Sequence, residues 1–169
     1  MALIKNNRIL EDHWQTVGEE DPLPENAPIL VSLDVWQTRH NELLSRGGPL
    51  GVKLESDERA ESLSDHLPAL DLIAINFPGF GDGRGFSTAR ILRERFGYSG
   101  ELRAAGYVIR DQVTYLKRCG FDAFEFSDQA SIAPWEKIER EISVVYQPTG
   151  DRKHTAIQLR HPATAAAAE

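Results

Sequence analysis

Chemistry-bearing residues are densest between Asn76 and Gln112, in NFPGFGDGRGFSTARILRERFGYSGELRAAGYVIRDQ. The stretch opens on an apolar run, continues as a loop carrying Gly79, Gly81, Gly83 and Gly85, and enters a helical pattern. Glycines let backbone N–H groups approach a ligand closely. A helix start adds free donors and a partial positive charge. Arg84 brings a planar fork of donors that suits carboxylate, phosphate or sulfur oxyanions. Ser87 is placed to cap the helix or touch the ligand, and Asp82 to hold Arg84 or cap the helix. These features define a candidate anion site. It is neither a P-loop, whose lysine and hydroxyl residue are missing, nor a G-x-G-x-x-G fingerprint. The competing structural reading is a turn whose glycines merely permit positive φ.

A second cluster follows at Arg103, Arg110, Asp111 and Gln112. Arg103 falls inside an apolar run, followed by the small residues Ala104, Ala105 and Gly106. An arginine within a strand needs a partner, because an unpaired buried charge is costly. Glu101, Asp82 and Glu125 are the candidates. Arg110, Asp111 and Gln112 open the next helix, where Asp111 is favoured electrostatically whatever else it does. The functional expectation is that Arg84 and Arg103, from neighbouring βα segments, converge at one rim to hold an anion or dock a partner. Asp82 and Asp111 are the candidates for proton transfer.

Other reactive types offer less. Cys119 is the one cysteine and ends a helical stretch, which raises rather than lowers a thiol pKa. One cysteine excludes an internal disulfide and a Cys-only zinc or iron–sulfur site within the chain. His13, His40, His66, His154 and His161 show no metal-ligand spacing. Trp36, Trp135, Tyr115 and Phe121 read as core or lid aromatics. RILRER reads as a solvated helix face.

The elements that must position these residues form a rhythm. Five apolar runs, at 29–33, 50–54, 72–77, 102–108 and 121–126, alternate with helical patterns at 35–46, 57–67, 86–97, 109–119 and 133–146. Such alternation predicts an α/β domain of about five βα units on a parallel sheet with right-handed crossovers. Ser56, ahead of Asp57 and Glu58, reads as a helix cap. Gly47-Gly48, Gly97 and Gly120 read as helix stops, and Pro134 as a first-turn proline. Residues 3–17 read as a short N-terminal β-hairpin turning at Asn6-Asn7.

Polar residues interrupt the runs: Ser32, Lys53, Asn76 and Glu125 near their ends, Arg103 nearer a start. In a flat sheet covered on both faces they would be buried at a cost. A curved sheet lets them point into a wet mouth. An open, TIM-like half-barrel is therefore favoured over a doubly wound, flavodoxin-like sheet. In both, function belongs at the C-terminal strand ends. Residues 1–150 form the one domain, and 151–169, ending in HPATAAAAE, an unstructured tail.

The 169-residue chain has a net charge of −7, which argues against nucleic-acid and anionic-membrane partners. The absence of a long apolar segment places it in the cytoplasm. An open sheet edge predicts a homodimer.

The stretch FPGFGDGRGFSTARILRERFGYSGELRAAGYVIRDQVTYLKRCGFDAFEF, with the later YQ of VVYQPTG, resembles a bacterial family catalogued as domain of unknown function 934. The likeness covers about 25–150 and is densest over 77–126. Members are described as oxidoreductases involved in sulfite reduction, encoded beside the sulfite reductase haemoprotein. The resemblance thus implies a role in sulfur assimilation and cysteine biosynthesis. It implies Asp82, Gly83, Arg84, Ser87, Arg103, Asp111 and Gln112 as site residues without assigned roles. The chain has no iron–sulfur, sirohaem or dinucleotide motif. Its cofactor is thus unknown, and electrons would have to come from a partner or a bound flavin. The expected partners are the haemoprotein, its electron donor or a small anion. A small α/β enzyme binding an anionic substrate or phosphorylated cofactor outside sulfur metabolism is the alternative.

Overall fold

The computed structural model describes residues 2–5, 8–126, 144–151 and 153–160. Its eight strands form one curled half-barrel sheet: β1 (Ala2–Lys5), β2 (Arg8–Leu10), β3 (Gln15–Thr16), β4 (Ile29–Ser32), β5 (Leu50–Leu54), β6 (Leu72–Phe77), β7 (Glu101–Gly106) and β8 (Ala123–Phe126). The order is β2-β1-β8-β7-β6-β5-β4-β3. Strands β3 to β8 run parallel, while β1 is antiparallel to both β8 and β2. This corrects the all-parallel expectation. The hairpin is present, but it extends the sheet rather than standing apart; its Asn6-Asn7 turn lies outside the described residues.

From β4 to β8 each strand lies beside its predecessor. Right-handed crossovers that always step in one direction leave every connection on one face, so the doubly wound alternative fails. The connections are α1 (Leu33–Leu44), a 3₁₀ segment (Ala60–Ala69), α2 (Arg84–Arg90) continuing as a π-helical turn (Ile91–Arg95), and α3 (Val113–Arg118) after a 3₁₀ turn (Arg110–Gln112). The second is thus not an α-helix, and its start at Ala60 displaces Ser56 from the capping role; Pro68 sits inside it. The helix expected over 133–146 falls outside the described residues, except 144–146, which are not helical. Asp151 pairs with Arg118 at 3.0 Å, and α4 (Ala156–Arg160) follows a bridge between Val145 and Thr155. No helix among the described residues is long and apolar enough to cross a membrane.

Chain length forces the curl. Seven interstrand steps of about 4.8 Å would set the edges of a flat eight-stranded sheet about 34 Å apart. Only Glu11–Trp14 joins β2 at one edge to β3 at the other, and the five Cα steps from Leu10 to Gln15 reach about 18 Å at most. The edges must therefore approach each other, with the four-residue strap between them.

The strand period then separates two chemistries. Val31, Val52, Leu54, Ile73, Ile75, Leu102 and Phe124 face the helices and meet Trp36, Leu43, Leu63, Ala89, Leu92, Val113 and Leu116 in the core. The opposite register positions are Ser32, Lys53, Ala74, Asn76, Arg103, Ala105, Ala123 and Glu125, on the concave face. The five polar interruptions of the apolar runs therefore share one face. Gly51 lies there too: a Cβ on it would stand 3.1 Å from the Trp14 ring, so its missing side chain admits the strap.

Arg93, read from sequence as solvated, instead staples three segments. It donates to the carbonyls of Tyr98, Gly100 and Gly120 and to Asp122 at 2.8 Å. Gly97 and Gly120 take positive φ at the ends of their helical segments, as expected.

Candidate functional site

Two polar centres occupy the half-barrel. The first lies at its C-terminal rim. The Asp82 carboxylate accepts from the Arg84 backbone N–H at 3.1 Å, from Nε at 3.0 Å and from Nη2 at 2.6 Å. The same Nη2 donates to Ser56 Oγ at 2.8 Å, which binds the ends of the β5 and β6 loops together. Hydrogen bonding from the Arg84 guanidinium, then Ser56, holds the Asp82 carboxyl well below the usual carboxylate range. Asp82 is therefore a fixed anion, a poor proton donor, and its contribution to stability disappears only as pH falls through that lowered range. The Arg84 side chain remains 59% exposed.

The loop glycines have particular reasons, and positive φ is not one: among the described residues that conformation occurs at Gly97, Gly106 and Gly120. Nothing lies within 4 Å of a Cβ built on Gly79 or Gly81. Gly85 is different, since its Cβ would stand 2.7 Å from the Phe77 ring; it lets α2 lie against the sheet. Phe80, between the two open glycines, is 67% exposed, and Tyr107, beyond β7, is 50% exposed. An open cleft of about 540 Å³ runs along Asn76, Phe77, Pro78 and Gly106 to Ile109.

The second centre is on the concave face. Arg103 is wholly buried. Its Nε donates to Glu101 at 2.8 Å, and its Nη1 donates to Asp12 at 2.9 Å and Glu125 at 3.1 Å. Lys5 reaches Glu101 at 2.6 Å. Burial alone would lower the Arg103 pKa, but Glu101, with Asp12 and Glu125, raises it. Burial pushes the Glu125 carboxyl up, against the pull of Arg103. Nearby, Asn76 Nδ2 donates to Glu55, which also pairs with Lys53 at 3.2 Å.

Arg84 and Arg103 thus have no partner in common. Glu101 and Glu125, both expected for Arg103, do bind it, whereas Asp82 serves Arg84. Gly83 precedes α2 without positive φ, and Ser87 is exposed on that helix. Gln112 accepts from the Ile109 N–H at 3.3 Å, a capping contact, and Asp111 is exposed beside Arg110 in the same 3₁₀ turn. Asp12 and Lys5 were missed because they lie 91 and 96 residues from their partners and belong to no local pattern. Cys119 is buried, and burial raises its thiol pKa. Trp36 and Phe121 are core residues; Tyr115 is half exposed against Phe86, and Trp135 lies outside the described residues. Among the described residues no group of three or more His, Cys, Asp or Glu could hold a metal ion.

Fold and site together define a curled α/β half-barrel with an ion-paired concave face and an arginine-bearing rim. The model of a family of bacterial proteins of unknown function, DUF934, matches residues 51–157, and the chain belongs to that family. No curated protein matches it.

Proposed function

We propose that the protein acts in the cytoplasm as an accessory or oxidoreductase component of assimilatory sulfite reduction, with the C-terminal rim as its docking or anion-binding surface. Its partner in this reading is the sulfite reductase haemoprotein or that enzyme's electron donor. The observation that carries the docking role is the exposure of Phe80 and Tyr107 on the loops that follow β6 and β7, together with an exposed Arg84 whose fork Asp82 holds in place. Aromatic and arginine side chains dominate the energetics of protein interfaces. The sulfur assignment itself rests on the family resemblance.

A deletion strain should fail to grow, or grow slowly, with sulfate as sole sulfur source and recover with cysteine. Complementation with Arg84→Gln should leave growth on sulfate impaired. The purified variant should unfold at nearly the same urea concentration as the wild type, because its ion pair is exposed. Normal growth of the deletion strain on sulfate would end this reading.

The open cleft beside Asn76 and Gly106 favours a second reading, an enzyme for an anionic substrate or phosphorylated cofactor outside sulfur metabolism. A bound flavin belongs to the same test. Visible absorbance of the purified protein and thermal-shift titration with FMN, NADPH, sulfite and sulfate separate it from a pure adaptor. Exposed Ile9 and Leu10 on the β2 edge support the homodimer expectation, which sedimentation measures directly.

A further inference from the structure

The Arg103 guanidinium is incompletely used. Its Nη2 lies 2.8 Å from the Glu101 oxygen that already takes Nε, yet meets no acceptor at a hydrogen-bonding angle. Both Asp12 and Glu125 bind at Nη1 instead. A guanidinium has five N–H donors and pairs most strongly where two parallel N–H bonds meet one carboxylate.

The three acids also differ in attachment. Glu101 and Glu125 are strand residues with side chains 8% and 17% exposed. Asp12 sits on the strap, 36% exposed; its Oδ2 takes Arg103 Nη1 and its Oδ1 accepts the Trp14 backbone N–H at 3.2 Å. Beside it is a cavity of about 270 Å³, with Ala2, Leu3, Ile9 and Leu10 as its apolar wall and Glu11, Asp12 and Glu125 as its polar side.

We propose that Arg103 and this cavity bind a small molecule carrying one carboxylate on a short apolar body, and that Asp12 is the built-in stand-in for that carboxylate. The ligand displaces Asp12 toward solvent, bridges Nη1 and Nη2, and rests its body on Leu3, Ile9 and Leu10. One carboxylate replaces another, so the buried cluster gains no net charge. The ligand adds the bond that Nη2 lacks and an apolar contact. Sulfate or hydrogen phosphate dianions would add charge to a cluster already holding three acids and leave the apolar wall unused. The site is separate from the rim and independent of the sulfite-reduction reading.

Calorimetric titration with butyrate tests this, with sulfate and neutral butyramide as controls. Asp12→Asn keeps the side-chain shape but weakens the competitor from a charge-assisted to a neutral hydrogen bond, so butyrate should bind it about tenfold tighter than wild type. Leu10→Glu places a charge on an exposed position of the cavity wall and should abolish butyrate binding in both backgrounds. If Asp12→Asn does not fold, the loss of wild-type binding in Leu10→Glu carries the test. Absence of butyrate binding, unchanged affinity in folded Asp12→Asn, or equal binding of sulfate or butyramide would overturn the assignment.

Discussion

Replacing Arg103 with methionine is expected to destabilise the protein by about 3–5 kcal/mol at pH 7, measured by urea unfolding, because removing one partner strands buried charge. The three acids do not suffer equally. Glu101 keeps Lys5 at 2.6 Å, and Asp12, on its exposed strap, can turn to water. Glu125 has neither escape; burial already raises its carboxyl, and the Arg103 guanidinium is the main pull against that rise. Without Arg103 it rises further.

The pH dependence follows from that direction. A carboxyl whose folded pKa exceeds its unfolded value, about 4.3 for Glu, keeps a proton in the native state that the unfolded chain has released. Stability therefore falls as pH rises from the unfolded value to the raised one. Arg103→Met should accordingly be less destabilised near pH 4 than at pH 7, and adding Glu125→Gln should restore part of the loss. A deficit below about 1 kcal/mol that does not change with pH would show that the cluster is not a buried charge centre.

The second large effect is expected at Gly106→Ala, with a loss of about 2–5 kcal/mol by the same measurement. Gly106 ends β7 with φ near +82°, a region where an L side chain is strained. Its Cβ would also stand 2.5 Å from the Phe77 carbonyl oxygen and closer still to Asn76 Oδ1. Neither neighbour is free to yield: that carbonyl accepts the Tyr107 N–H at 2.7 Å, and the Asn76 side chain is held to Glu55. The same substitution at Gly79 or Gly81 should change stability by no more than about 0.5 kcal/mol, because open space surrounds both. Comparable losses at Gly79 and Gly106 would contradict this account.

These glycines show how far sequence reasoning reached. The run of four in the rim loop looked like one device, yet Gly85 serves helix–sheet packing while Gly79 and Gly81 meet nothing within 4 Å. Gly106, whose backbone is the most demanding near the rim, stood in the sequence only as another small residue after Arg103. Glycine type is visible in a sequence; the φ angle and the approaching atom are not. The rim arginine is a similar case. Its pairing with Asp82 is legible in the sequence, because the two residues are only two positions apart. The sequence expects Arg84 and Arg103 to converge at one rim around an anion; in the structure Arg84 pairs with Asp82, while Arg103 is enclosed by Glu101, Glu125 and the strap's Asp12.

Strands β5 and β6 coincide with the apolar runs at 50–54 and 72–77, since short runs bounded by turn residues have few other conformations that bury them. The polar interruptions pointed to a curved sheet for the same local reason: alternation assigns residues to faces before any contact forms. Local residue order was therefore enough to read a mixed α/β domain with two-faced strands on a curved sheet. That β1 joins β8, that four residues pull the sheet edges together, and that Asp12 meets Arg103 became visible in three dimensions alone. Those pairings join residues about 90 or more positions apart and depend on chain closure through space, which no local propensity encodes.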